Sequence, residues 1–238
     1  MYYSYWIGVL FMITLASLSA EEGHVSMQFR TFSVTNEIKG VQCLMADDSV
    51  EIQVPSQNRS APIKYKGSRE IVFYRKEGQV PGQPINPLAK GLLREGLRNP
   101  LIVFIPRREG KTKGTPYLIK VIDDDPRDFP NGMVKFMNLT NKQLKIELGQ
   151  TRKVRGALEP AEVFEYRLPD YFKGNIPVKI SIAYPKKMLP LMHSRIFPNK
   201  DVRDIYFIWP IYRKTAGNHV WLTTLRERGD MAKARLNP

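Results

Sequence analysis

The sequence has one cysteine, Cys43, and three histidines, His24, His193 and His219. A single cysteine excludes an intramolecular disulfide, so the folded chain must be stabilised by packing. The histidines lie far apart, and neither a His-x-x-x-His pair nor a pair containing the cysteine has the spacing of a metal site. A Gly-x-Ser-x-Gly elbow and a phosphate-binding glycine loop are also missing. We therefore expect a non-enzymatic protein without a cofactor or a metal, in which Cys43 is a buried core residue.

The first twenty residues carry no charge. Their apolar stretch runs into small residues before Glu21 and Glu22, which is typical of a signal peptide cleaved after Ala20. An uncleaved membrane anchor is the alternative, although the apolar core is shorter than the ~20 residues that a spanning helix needs. Since no later segment is apolar enough to cross a bilayer, the sequence predicts a secreted or periplasmic protein without a stable membrane span once the signal is removed.

The remainder of the chain consists of short stretches of alternating apolar and polar residues, separated by turns. Three ordered matches relate its two halves: residues 41–54 with 134–148, 67–75 with 160–167, and 101–121 with 205–225. Strands at about ten-residue spacing predict antiparallel β-sandwiches. We predict an all-β protein of two tandem, internally duplicated, immunoglobulin-like modules: a signal peptide over 1–20, the first module over 21–125, the second over 126–228, and a loose tail over 229–238.

Three segments carry more specific predictions. Residues 101–105 form a continuous apolar run, which is typical of a strand buried on both faces or in a sandwich core. Residues 88–98 are predicted to be a surface loop with one or two helical turns. The acids of the module boundary could offer oxygen ligands to Ca²⁺, but they lack the D-x-D-x-D-G spacing, so solvated loop acids are the preferred interpretation. These acids are Asp123, Asp124, Asp125 and Asp128.

The chain is strongly basic, with 37 Lys and Arg against 23 Asp and Glu and a formal net charge of +14. A surface of this charge attracts polyanions, such as envelope polymers, acidic polysaccharide, anionic lipid or nucleic acid. Solubility alone is the alternative explanation for the same charge.

The basic residues concentrate in the predicted hairpin turns. We call six of them the basic tips: Arg107, Arg108, Lys111 and Lys113 in the first module, with Arg213 and Lys214 in the matching hairpin of the second. A second matching pair of turns holds Arg152, Lys153 and Arg155 against Arg59, Lys64 and Lys66. If the modules are related by a rotation, the basic tips form comparable cationic patches for phosphates, sulfates or carboxylates. The alternative is that these charges keep exposed hairpins soluble and strand edges unpaired.

Aromatic residues crowd the last hairpin, where Trp209 and Trp221 are candidate contacts for a sugar ring or a partner strand. Packing between sheets or modules is the alternative, and it is the commoner use of such residues. In outline, the basic, cysteine-poor pair of modules resembles the periplasmic pilus chaperones. That resemblance implies an exposed edge strand that holds a partner. The chain lacks the hydrophobic run and arginine-bearing start of the second domain in that family, so the resemblance is one of architecture.

The sequence thus predicts an exported binding or structural protein of the cell envelope or extracellular space, with an anionic polysaccharide or other envelope polymer as a possible partner of the basic tips. The alternative is a protein-binding adaptor or chaperone-like module that uses an edge strand or the aromatic hairpin. The oligomeric state stays open.

Overall fold

The computed structural model describes residues 24–77, 79, 83–107, 115–149, 154–170, 172, 174–184, 188–210 and 220–229. The first half of this part contains eight strands: β1 His24–Ser33, β2 Ile38–Leu44, β3 Ser49–Val54, β4 Ile63–Ser68, β5 Glu70–Arg75, β6 Pro87–Leu92, β7 Pro100–Pro106 and β8 Tyr117–Asp123. The second half contains eight more: β9 Met133–Asn138, β10 Leu144–Leu148, β11 Val154–Leu158, β12 Val163–Arg167, β13 Ile176–Ala183, β14 Met188–Ile196, β15 Val202–Pro210 and β16 Val220–Arg228. The all-β prediction is confirmed.

Each half of the chain builds two four-stranded sheets with the same strand order. In the first half, which we call module 1, the sheets are β4-β1-β7-β8 and β3-β2-β5-β6. In the second half, module 2, they are β12-β9-β15-β16 and β11-β10-β13-β14. Adding eight to each strand number of module 1 reproduces module 2, including the parallel pairs β1 with β7 and β9 with β15. The two halves therefore share one topology.

This correspondence differs from the sequence matches in two of three places. Residues 41–54 form β2 and β3, whereas the matched residues 134–148 form β9 and β10, which are equivalent to β1 and β2. The match of 67–75 with 160–167 is displaced in the same way, because it sets β5 against β12. The third match sets β7 and β8 against β15 and β16 and agrees with the topology. All half-buried strands share an alternation of period two, so a match based on alternation can slip by a whole strand.

The four sheets stack as four layers with three apolar cores between them. One core fills module 1 and includes Phe73 and Phe104, and a second fills module 2 and includes Phe136 and Ile180. The third core lies between the modules, where β1 and β7 face β9, β15 and β16. It contains Phe32, Val34, Leu101, Val103, Ile105, Phe129, Met137, Ile205, Phe207 and Leu225. The strand β7 is buried on both faces, as its sequence predicts.

The segment predicted to be helical is instead the edge strand β6. Its Leu88 and Ala89 are buried in the core of module 1, and its ladder pairs with β5. Gly91 is required at its position because a Cβ there would lie 2.6 Å from Cγ2 of Ile119 on β8. The glycine that weakens a helix here admits a close contact between the two sheets of module 1.

Cys43 lies in the core of module 1, as predicted, with none of its surface exposed. Burial raises the pKa of its thiol to about 12. In this state the side chain acts as a small hydrophobe rather than a nucleophile.

Candidate functional site

The interface between the modules has two chemically different ends, which the strand directions define. At the first end, Asp124 follows β8, and the guanidinium of Arg203 at the start of β15 contacts Asp124. At the second end, the carbonyl of Val34 accepts a hydrogen bond from Thr223 of β16, which pairs with Phe207 in the later half of β15. Strands β7 and β15 both run from the first end to the second, and we call these the junction end and the tip end. The interface joins two equivalent sheets, β4-β1-β7-β8 and β12-β9-β15-β16, through the same face of each and with β7 and β15 running in the same direction. Two sheets packed in this way are related by an approximate two-fold rotation about the strand direction.

The junction end is held by a buried arginine. Arg203 has no exposed surface, and its Nε donates to Glu227 on the neighbouring strand over 2.6 Å. Its Nη1 and Nη2 reach across the interface to the backbone carbonyl of Asp124, and Nη1 also donates to the carbonyl of Phe129 at 3.1 Å. The same guanidinium lies 5.0 Å from the Phe129 ring. One side chain of β15 thus binds the connection between the modules through charge, backbone and ring contacts.

A second buried arginine completes this network from module 1. Arg59 donates from Nε and Nη2 to both carboxylate oxygens of Asp124, at 2.5 and 2.8 Å. Burial opposes the charged form of Arg59, but the attraction and hydrogen bonds of Asp124 more than offset it and raise the pKa of the guanidinium. The sequence match had placed Arg59 in an exposed basic turn, and the structure corrects this. We call Arg59, Asp124, Arg203 and Glu227 the junction network.

The boundary acids are therefore not all solvated, contrary to the sequence interpretation. Asp124 and Asp125 are buried, and Asp123 accepts the backbone N–H groups of Arg98 and Asn99. Hydrogen bonds from Arg127 hold the pKa of Asp125 below its usual range. Within the described part of the chain, no group of three His, Cys, Asp or Glu side chains is arranged to hold a metal ion. Asp124 and Asp125 of this boundary are thus paired with arginines, and Asp123 with backbone N–H groups.

At the tip end, Trp209 is anchored rather than free. Its Nε1 donates to Oγ1 of Thr223 over 2.9 Å, and that hydroxyl donates to the carbonyl of Val34 over 2.7 Å. Trp209 also packs against the core between the modules. The polar and apolar parts of this tryptophan thus both have partners within the protein.

Trp221 differs from its cross-strand partner Trp209. The two residues pair directly across β15 and β16, yet 48% of the Trp221 surface is exposed. Leu118 of β8 is also exposed and points to the same interface from module 1, since its partner Ile105 belongs to the core between the modules. The tip end therefore presents an apolar margin on both modules.

Arg107 lies at this end, immediately after β7, and it is partly buried. Its backbone N–H donates to the carbonyl of Pro116, and its Nε is buried without a hydrogen-bond partner among the described residues. The structure thus brings Arg107, Trp209 and Trp221 to one end of the molecule. The other basic tips, Arg108, Lys111, Lys113, Arg213 and Lys214, lie outside the described residues, as does the predicted signal peptide over 1–20.

One open depression of about 530 Å³ is lined by residues of β1, β4 and the β2–β3 hairpin. Its lining includes Lys64 and Lys66, Asp47 and Asp48, and Tyr65, so its charges are balanced. Burial, with a smaller effect of Cys43, raises the pKa of Tyr65 to about 12, and its hydroxyl donates to the carbonyl of Ser68. This tyrosine is committed to the fold rather than to proton transfer.

No protein-family model matches the chain, and a search of curated proteins finds no significant match. Within the described residues, no helix reaches the length and apolar character needed to span a bilayer. The junction end can fix the relative orientation of the modules, and the tip end can offer the exposed indole of Trp221 at the same end as Arg107.

Proposed function

We propose that the chain is an exported, non-enzymatic binding or structural protein of the cell envelope or extracellular space, which contacts anionic polymers through the basic tips. The observation that carries this proposal is the shared direction of β7 and β15. Because both strands run towards the tip end of the interface, the two connections that hold the basic tips both leave the described structure at that end. Cationic groups at one end of a rigid body can engage one polymer together, which raises affinity beyond that of either group.

The junction network supports the structural part of this proposal. A buried arginine bound to the connection between modules and a continuous apolar core between them favour one fixed module orientation. We also propose the immunoglobulin-like class for each module, in the broad sense of a two-sheet sandwich. The parallel first strand, inserted between β4 and β7, distinguishes this strand order from the immunoglobulin constant-domain order.

The test is binding of residues 21–238 to polygalacturonate across a series of salt concentrations. Tight binding that weakens steeply with salt is expected, because cationic contacts release counterions. The variant R107Q/R108Q/K111Q/K113Q is expected to weaken binding and flatten the salt dependence. Unchanged affinity of this variant would refute the proposal that the basic tips contact the polymer. Absence of wild-type binding at low salt would refute the proposal that the ligand is an anionic polymer.

A second candidate function is a protein-binding adaptor. It is favoured by the exposed indole of Trp221, on an edge strand whose outer backbone groups can pair with a partner. This function predicts binding that depends weakly on salt and is lost in Trp221→Ala without unfolding. Loss of a partner in that variant, with polymer binding unaffected, would favour the adaptor.

A further inference from the structure

The outer sheet of module 2 carries a cationic face that the repeat does not share. The inward residues of β10 and β13, such as Ile146 and Ile180, belong to the core of module 2, so the alternating residues face outward. The outward charged residues across the four strands are Arg155, Glu147, Lys145, Lys179, His193 and Arg195. We call this set the outer basic face.

Three of these cations lie on one line. Lys145 pairs with Ser181, and Lys179 lies two residues before that serine on β13. Lys179 in turn pairs with His193, and Arg195 lies two residues beyond that histidine on β14. From Lys145 to Lys179, and again from Lys179 to Arg195, the line crosses to the neighbouring strand and shifts by two residues in the same direction along the sheet. Diagonal neighbours of this kind are about 7–8 Å apart, so the three cations form a straight diagonal track.

The fourth cation is partly neutralised. Nε of Arg155 lies 3.4 Å from the carboxylate of Glu147, which is the one acid among the outward residues of these four strands that the structure describes. Glu147 is half-buried and pairs directly with both Arg155 and Lys179, whereas Lys179 and Arg195 are exposed. This single carboxylate is shared between two cations, so the four cations of the face keep a net positive charge that a ligand can contact.

The equivalent face of module 1 supplies an internal comparison. The outward charged residues of its ladders are Glu51, Glu70 and Lys90, and the lysine lies 3.6 Å from Glu70. Lys39 and Arg75 are two further exposed cations of this sheet, which therefore carries three cations against two acids, whereas the outer basic face carries four cations against one acid. A general need for solubility applies to both faces equally, because the two sheets occupy equivalent outer layers. The charge difference between equivalent faces therefore points to a ligand on one of them.

The shape of the track selects the ligand. The positions directly beside the cations are Ser181, Pro177, Pro190 and His193, whose imidazole is the one aromatic ring among the described residues of this face. Single-stranded nucleic acids are held by several aromatic platforms in succession, and one imidazole does not provide them. A membrane surface favours basic residues combined with a broad apolar face, whereas here the cations are aligned. A line of separated cations on a flat sheet complements a linear polymer with regularly spaced anionic groups.

We propose that the outer basic face binds a linear anionic polysaccharide, laid diagonally across β10, β13 and β14 along Lys145, Lys179 and Arg195. This inference rests on the proposed function, since it names the polymer class and adds a second contact surface to the basic tips. The outer basic face belongs to the outer sheet of module 2, whereas the basic tips belong to the chain segments between β7 and β8 and between β15 and β16, so the two surfaces can be altered separately.

The test compares variants in polygalacturonate binding across a salt series. K145Q/K179Q/R195Q is expected to lower affinity at least tenfold at low salt and to reduce the salt slope. The matched control is K39Q/R75Q/K90Q, which removes two lysines and one arginine from exposed positions on the outer sheet of module 1. It makes the same change in net charge and is expected to stay within about twofold of the wild type, since surface changes of this kind leave the fold intact. Urea midpoints of both variants establish that each is folded.

Equal losses in the two variants would overturn the inference, because net charge alone would then explain binding. An unaffected K145Q/K179Q/R195Q variant, with binding lost in R107Q/R108Q/K111Q/K113Q, would overturn the outer basic face and leave the proposed function standing. Wild-type protein that does not bind polygalacturonate would overturn both. Single-stranded DNA and vesicles of anionic lipid serve as further probes, and loss on these probes but not on polygalacturonate would overturn the choice of polymer.

Discussion

Nη2 of Arg203 lies 3.2 Å from Oδ2 of Asp124, and neither side chain has any exposed surface. One residue belongs to β15 and the other to the connection after β8, so this pair links the modules at the junction end. An ion pair buried so completely is costly to assemble, because both charges lose water. The remaining N–H groups of Arg203 donate to Glu227 and to the backbone carbonyls of Asp124 and Phe129. The carboxylate of Asp124 also accepts from Arg59.

Replacing Arg203 by Met is expected to lower the free energy of unfolding by about 3–5 kcal/mol, because it removes one partner and leaves buried acids with less compensation. The measurement is equilibrium unfolding in urea. The control is Arg155→Met, whose side chain is 59% exposed beside Glu147 and whose loss should cost no more than about 1 kcal/mol. Similar small losses in both variants would contradict a stabilising role of the junction network.

The boundary acids should make stability depend on pH at the acid side. Since Arg127 holds the pKa of Asp125 below its usual range, the carboxylate stabilises the fold above the pKa of the unfolded chain. That contribution is lost as pH falls through the unfolded pKa, about 3.9 for an aspartate, towards the lower folded value. Free energies of unfolding of the wild type and Asp125→Asn should therefore differ most near neutral pH and converge in acid.

Asp128 provides the comparison for this prediction. Its side chain is 68% exposed, so Asp128→Asn should change the free energy of unfolding at neutral pH less than Asp125→Asn does. A constant difference between the wild type and Asp125→Asn across the pH range would show that the charge of Asp125 is not the cause.

The thiol of Cys43 should resist alkylation in the folded protein. Its pKa is raised to about 12 and its surface is fully buried, so labelling at about pH 8 should follow the rate of unfolding. Cys43→Val should cost less than about 1.5 kcal/mol, because it nearly conserves volume. Cys43→Ser should cost about 1–3 kcal/mol, because it buries a hydroxyl. Labelling in the absence of denaturant, at the rate of a free thiol, would contradict the buried assignment.

Substitution of each of the two paired tryptophans should show that Trp209, and not Trp221, stabilises the fold. Trp209→Ala removes core packing and the hydrogen bond to Thr223, so we expect a loss of about 2–3 kcal/mol, below that of a fully buried tryptophan. Trp221→Ala removes a largely exposed side chain and should stay within about 0.5 kcal/mol of the wild type. Urea unfolding measures both, and a larger loss from Trp221 than from Trp209 would reverse the assignment.

Much of the architecture follows from local pattern. Period-two alternation predicted strands over most of β2, β3, β10 and β12, and the continuous apolar run of β7 predicted burial on both faces. β11 and β14 were not predicted, because Gly156 and the prolines near β14 interrupt the alternation on which such predictions depend. β6 was mistaken for a helical segment because leucines at 88 and 92 fit a helical spacing, whereas its ladder with β5 decides the conformation.

The candidate site was only partly predictable. The basic tips and the two tryptophans are evident in the sequence, and Arg107, Trp209 and Trp221 do meet at one end of the interface. The junction network was missed because Arg59 and Arg203 are ordinary basic residues in sequence, and their acidic partners are more than twenty residues away. The run of boundary acids was the one feature of the sequence that pointed to the junction network. The residues around these acids give no indication that Asp124 and Asp125 are buried.

The sequence by itself determined the all-β class, the existence of two similar halves, the exclusion of an intramolecular disulfide and the basic character of the chain. These properties depend on composition and on side-chain period, which act over a few neighbouring residues. Only the tertiary structure decided which strands are equivalent, which tryptophan is anchored, and which charges are buried. It also decided that Lys145, Lys179 and Arg195 lie on one line, because strand pairing alone sets the register between residues that are distant in the chain.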